Sequence, residues 1–136
     1  MFTLRFDGGA RPNPGPGAGA YWIQSSSGET VSRGGVYLDQ CTNNIGEYMG
    51  LIEGLKAASR LGVKRLHIEG DSMLAICQIT GKWKASHPNI VPLWREAMLL
   101  LGEFEEVSMA HIIRKENAVA DALSTKTIES KVTWRE

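Results

Sequence analysis

The sequence predicts an α/β fold in which helices pack on a β-sheet, and three observations carry that prediction. Apolar residues alternate with period two in three segments before residue 40, as in half-buried strands. From residue 42 the apolar period lengthens to that of a helix and holds to residue 62. Between Lys64 and Ser72 a strand pattern, a glycine and a helix start follow one another directly, the alternation expected of a sheet with helices packed on it.

The first strand spans residues 2 to 6, with Phe2, Leu4 and Phe6 on one face and Thr3, Arg5 and Asp7 on the other. It is expected to break at Asp7, because eight of the twelve residues from Gly8 to Gly19 are glycine or proline. Glycine there permits close approach of the backbone, and proline stiffens it. Ala18 to Ser25 and Thr30 to Leu38 form the next two strands, joined by a polar turn containing Gly28. Together the three make an antiparallel meander.

Residues 42 to 62 form a helix with Thr42 to Asn44 as cap candidates and Gly62 as its stop. Lys64 to Gly70 is the fourth strand, and Asp71 and Ser72 open a helix running through Ile79. Asn89 is read as the cap of a helix to Leu101, with Leu93, Trp94, Ala97, Leu100 and Leu101 on its apolar side. Glu106 to Ile113 is the fifth strand. A loop of Arg114, Lys115 and Glu116 follows, and Asn117 is read as the cap of a last helix, Ala118 to Lys126, anchored by Val119, Ala122 and Leu123. The tail from Thr127 to Glu136 has weak strand character at Lys131 to Trp134 and no assigned role.

The 136 residues suit one domain without linker or repeat. Apolar residues at 43% and charged residues at 22% exclude a disordered chain, and no segment is long and apolar enough to span a bilayer. No signal peptide is expected at the N-terminus. Cys41 and Cys77 form neither a disulfide framework nor a ligand pattern, so a reducing cytoplasmic setting is the default.

Four acids stand at or near the ends of these elements. Asp7 follows strand one and either opens a turn or ligates. Glu47 shares a helix face with Gly50, Leu51, Gly54, Leu55 and Ala58, where a carboxylate is costly unless neutralised; the alternative is a capping box with Asn44. Asp71 reads as a helix N-cap or a ligand, and Asp121, four residues after Asn117, as a solvated helix residue or a ligand. Hard divalent cations such as Mg²⁺ take carboxylate oxygens, which makes the coincidence informative. Fifteen basic and fifteen acidic side chains give a net charge of zero, which two bound divalent cations would raise to about +4. The Lys82, Trp83, Lys84 triplet alternates charge and aromatic surface, a pattern suited to a phosphate and sugar backbone.

The segments FDGGARPNPGPGAGA (6 to 20), TNNIGEYMGLIEGL (42 to 55), EGDSMLAICQITGKW (69 to 83) and RKENAVADALS (114 to 124) together resemble the type 1 ribonuclease H family in order and spacing, over residues 1 to about 126. The resemblance implies a five-stranded mixed sheet, the meander plus two parallel strands, with helices on both faces. It implies hydrolysis of the RNA strand of RNA/DNA hybrids by a monomer, leaving 5′-phosphate and 3′-hydroxyl ends. Asp7, Glu47, Asp71 and Asp121 would be the catalytic acids and would hold two Mg²⁺ ions, with Mn²⁺ a possible substitute. Asn13, Asn43, Asn44 and Glu47 would read the 2′-hydroxyl, Thr42 would hold a DNA phosphate, and Trp83 would stack on a DNA sugar beside Lys82 and Lys84.

Three departures from the family pattern are visible. The loop before Asp121 contains no histidine, so either Arg114 or Lys115 would substitute for it or the step would be slower; His111 lies earlier, within a strand. The family's basic helical protrusion is missing, which predicts weaker substrate binding. Gly46 stands where alanine is usual, which predicts a helix looser by up to about 1 kcal/mol. A nuclease of the same fold acting on double-stranded RNA, and a hybrid-binding module without catalysis, are the competing readings.

Overall fold

The computed structural model describes residues 1–136. Six strands form one mixed sheet: β1 (Phe2–Ala10), β2 (Gly15–Gln24), β3 (Thr30–Cys41), β4 (Arg65–Gly70), β5 (Glu106–His111) and β6 (Trp134–Arg135), in the order β5-β4-β1-β2-β3-β6. The helices are α1 (Asn43–Arg60), α2 (Met73–Ile79), α3 (Val91–Leu101) and α4 (Ala118–Ser130). β1, β2 and β3 are the expected antiparallel meander, and β4 and β5 are the two parallel strands. The sixth strand lies in the tail and pairs Trp134 with Gly35 and Arg135 with Gly34.

β1 does not break at Asp7. Gly8, Gly9 and Ala10 continue it, opposite Gly19, Ala18 and Gly17 of β2, because glycine adopts extended backbone as readily as turn backbone. Only residues 11 to 14 make the turn, with cis peptides before Pro12 and Pro14. The pairing of β1 with β4, by contrast, stops at Phe6 and Gly70. Past that point the two strands part, and a notch opens at the carboxyl ends of the parallel strands.

Register sorts the two faces of the sheet. Leu4, Phe6 and Gly8 face α1, whose Tyr48, Leu51, Ile52 and Leu55 are fully buried together with Ile23, Leu66 and Ile68. Each such side chain contributes roughly 1.5–3 kcal/mol on burial, so this face carries the core. Asp7, Ala20 and Gly35 lie in one row on the opposite face, where α4 packs. There α4 buries Ala120, Leu123, Ser124 and Thr127, while Val119 and Ala122, expected as anchors, are exposed. Small side chains are needed because α4 lies close on the sheet: a Cβ at Gly35 would collide with Thr127.

α3 has Ile90 rather than Asn89 at its cap position, and no side chain caps it. Pro92, in its first turn, lacks an N–H in any case. No helix is long and apolar enough to cross a membrane.

Candidate active site

Three elements deliver carboxylates to the notch. Asp7 comes from β1, Asp71 from the residue after β4, and Glu47 from the second turn of α1. One ligand oxygen of each lies within 4.8 Å of the others. Asp121, from the first turn of α4, lines the same cleft of about 280 Å³, as do Arg11, Asn43, Arg114 and Ser124.

Local structure frees each acid for this position. Ser72, not Asp71, caps α2: its Oγ accepts from the Ala75 N–H at 3.1 Å. Thr42 caps α1 by accepting from Ile45 N–H at 3.2 Å, so Glu47 is not needed for a capping box. Glu47 lies on the packed face of α1 because that helix meets the sheet along glycines. A Cβ on Gly46 would come within 2.6 Å of Gly9 N and 2.7 Å of Ala18 O, and one on Gly50 would meet Asp7 O. Gly46 is therefore what lets α1 approach β1 and β2, a correction to its reading as a mere loss of helix propensity.

The electrostatics are those of clustered, poorly hydrated acids. Burial, then the charge of Asp71, push the Asp7 carboxyl up to about 7. Burial, then the charges of Asp7 and Asp71, raise Glu47 well above the usual carboxylate range. Oε1 of Glu47 is buried and has no hydrogen-bond partner. A buried acceptor without a donor is costly. Oxygen donors at this spacing fit a hard divalent cation, which would supply the missing positive charge. Arg114 stands 3.8 Å from Asp121, and His111 Nε2 lies 3.2 Å from the Asp71 carbonyl oxygen.

A second groove, of about 650 Å³, is lined by Asn13, Thr42, Asn43, Asn44, Lys84 and His87 among others. Asn13 Oδ1 accepts from the Asn43 N–H at 3.0 Å, and Asn43 Oδ1 from the Ala10 N–H at 2.9 Å. Both amide oxygens thus tie the β1–β2 turn to the start of α1. Lys82 and Trp83 are exposed on the neighbouring loop and do not line the groove, and Lys115 is exposed in the turn before α4.

Two residues beside the acids have no role at the site in the sequence reading: Arg11, which goes unread, and Asn117, read there only as a helix cap. Arg11 lines the acid cleft, with Nη2 donating to Thr125 Oγ1 at 2.9 Å. Asn117 occupies the cap position of α4 but makes no side-chain cap bond. Its Nδ2 instead donates to Phe6 O at 2.9 Å and lies 3.4 Å from Asp71 Oδ2. The only sequence signal for this is the spacing of four to Asp121.

The reverse transcriptase-like family matches residues 5–127. A protein of Halobacterium salinarum named ribonuclease HI is 37% identical over 124 residues, covering 91% of this chain and 62% of its own length. The N-terminal RNase H domain of Rv2228c from Mycobacterium tuberculosis superposes with a TM-score of 0.92 at 30% identity, covering 95% of this chain and 94% of that one. LC11-RNase H1, solved in complex with an RNA/DNA hybrid, superposes with a TM-score of 0.90 at 28% identity, covering 96% and 99%. The chain spans only 35% of the whole bifunctional protein Rv2228c. With the matched family, the parallel-strand notch and its carboxylates in agreement, this chain belongs to the reverse transcriptase-like family and, within it, to the type 1 ribonuclease H group.

Proposed function

We propose that this chain is a metal-dependent endoribonuclease that hydrolyses the RNA strand of RNA/DNA hybrids, acting as a cytoplasmic monomer. The observation that carries the reading is the convergence of Asp7, Glu47 and Asp71 within 4.8 Å, with a buried Glu47 oxygen lacking any donor. The solved hybrid complex of a protein sharing this fold supports the choice of substrate.

Asp7, Glu47 and Asp71 would hold two Mg²⁺ ions, or Mn²⁺ in their place, with Asp121 completing the set from the more open side. When bound, such ions supply positive charge to a phosphate that gains negative charge in the transition state and make water a better nucleophile near neutral pH. The chain's own part is orientation. The sheet and α1 hold the acids before substrate arrives, so little reorganisation remains at the moment of reaction. Cleavage on the 3′-oxygen side of the phosphate leaves 5′-phosphate and 3′-hydroxyl ends. Arg114, at the cleft rim, is placed to meet a phosphate or the leaving group, with Lys115 beside it in sequence.

Discrimination between RNA and DNA rests on the 2′-hydroxyl. With the amide oxygens of Asn13 and Asn43 engaged by backbone N–H groups, their Nδ2 groups are the donors left for that hydroxyl. Asn44 and Glu47 act at the same helix end. Thr42 and the Asn44 N–H suit a DNA phosphate, since the Asn43 and Ile45 N–H groups donate to Asn13 and Thr42, and Lys84 lines the same groove. Lys82 and Trp83 extend the contact along the DNA strand.

The test is cleavage of an end-labelled hybrid with Mg²⁺, alongside EDTA, double-stranded RNA and an Asp71→Asn variant. Cleavage of the hybrid alone, only with metal and at least about 100-fold faster than by Asp71→Asn, is the expected result. Binding without cleavage in either Mg²⁺ or Mn²⁺ would establish a binding module instead.

A further inference from the structure

Asn117 is 1% exposed, sits where a helix cap would sit, and does not cap. An asparagine at that position ordinarily turns Oδ1 toward the N–H groups of the helix's first turn. Here Oδ1 is buried without a partner, and Nδ2 faces two acceptors, the Phe6 carbonyl and the Asp71 carboxylate. The two acceptors favour this orientation, because the reversed amide would set Oδ1 against both of those oxygens. The side chain therefore makes no cap bond and leaves an acceptor unpaired while Nδ2 donates to Phe6 O beside the acid cluster.

We propose that Asn117 is a positioning residue for that cluster and acts through Asp71. Its position explains how. Phe6 immediately precedes Asp7 and is the last residue of β1 paired with β4. The Asn117 amide therefore spans the point where the two strands part, with Nδ2 bonded to Phe6 O and 3.4 Å from one oxygen of the carboxylate on the far side. The same residue begins the α4 segment that carries Asp121 four positions later. One amide thus sets the spacing of acids from β1, β4 and α4. The 3.4 Å contact to Asp71 is long for a hydrogen bond, so its role is orientation of the carboxylate rather than binding strength.

This inference rests on the acids being cation ligands, and its test includes a readout independent of cleavage. The parent, Asn117→Ala and Asn117→Ser would be compared by Mg²⁺ titration in calorimetry, by melting in EDTA, and by kcat and KM on the hybrid. Loss of such an outer partner typically weakens metal binding or activity about 10–100-fold. Asn117→Ala is expected to raise the Mg²⁺ Kd about 10-fold and lower kcat by a similar factor, with KM for the hybrid within about 2-fold of the parent. Asn117→Ser, which keeps a donor, is expected to lie between them, and it carries the comparison if the alanine variant does not fold. Variants that melt lower in EDTA yet bind Mg²⁺ and turn over as the parent does would show a purely structural asparagine and overturn the proposal. A parent that binds Mg²⁺ but cuts no hybrid would sink the nuclease reading, and the titration alone would then decide the role of Asn117. A parent that binds no divalent cation overturns both.

Discussion

Burial and the Asp71 charge raise Asp7 to about 7, and burial with the charges of Asp7 and Asp71 raises Glu47, so without metal both acids titrate against folding. Their folded pKa values lie above the unfolded ones. Between the two, the folded state binds more protons, and stability falls as pH rises. The contribution is whole below about pH 4 and lost as pH passes through about 7. For Asp7 it amounts to at most about 4 kcal/mol, an upper bound because the two acids titrate together. In EDTA at pH 8, Asp7→Asn is therefore expected to melt at least about 5 °C above the parent, and at pH 4 within about 2 °C of it. Melting curves followed by circular dichroism across that range check this. Saturating Mg²⁺ should narrow the gap by stabilising the parent alone. A gap that does not change with pH would show that Asp7 is not strained.

The decisive element is α1, and what places it is the absence of side chains. Gly46 and Gly50 let its backbone lie against β1 and β2, which carries Glu47 to Asp7. Alanine at position 46 would gain about 1 kcal/mol of helix propensity. Its Cβ would, however, meet backbone atoms at 2.6 and 2.7 Å, which cannot rotate aside. Overpacking of that kind costs about 1–3 kcal/mol, so the clash wins. Gly46→Ala is expected to lose about 1–2 kcal/mol in urea denaturation. It should also lower kcat on the hybrid about 10-fold, since an outward shift of the helix that relieves the clash carries Glu47 with it. A variant as stable and as active as the parent would mean that the seam is looser than these distances state.

At the scale of the molecule, α4 runs on to Ser130, past the expected end at Lys126, and the residues after it close the sheet. Trp134 pairs with Gly35, donates Nε1–H to the buried Thr127 at 2.9 Å, and lies under Lys126 Nζ at 4.1 Å. Arg33 and Glu136 join the same edge through an ion pair and two backbone hydrogen bonds. This covers part of an otherwise unpaired β3, the usual remedy for an open strand edge. Removing the indole leaves Thr127 with one partner fewer and strips the edge strand of its anchor. Trp134→Ala is expected to lower stability by about 1–3 kcal/mol while kcat on the hybrid stays within about 2-fold, because none of its contacts reaches the acid cleft. Thermal melts and hybrid cleavage on the same preparation separate the two effects.

The sequence by itself determined the element order, the meander, the core face of α1 and, through four spaced motifs, the acids that meet in the notch. All of these are written in short-range signals: a period of two or 3.6, a turn residue, a motif some dozen residues long. Only the tertiary structure decided where β1 ends, since Gly8 and Gly9 read locally as a break and become strand once Gly19 and Ala18 pair with them. It also decided that Asn117 donates across the cluster to Phe6, 111 residues away, instead of capping its own helix. It turned Gly46 from a weak helix residue into a requirement of close packing, and the tail into an edge strand. In each case the deciding partner is distant in the chain, so the local pattern carries no trace of the contact that determines the residue's conformation and role.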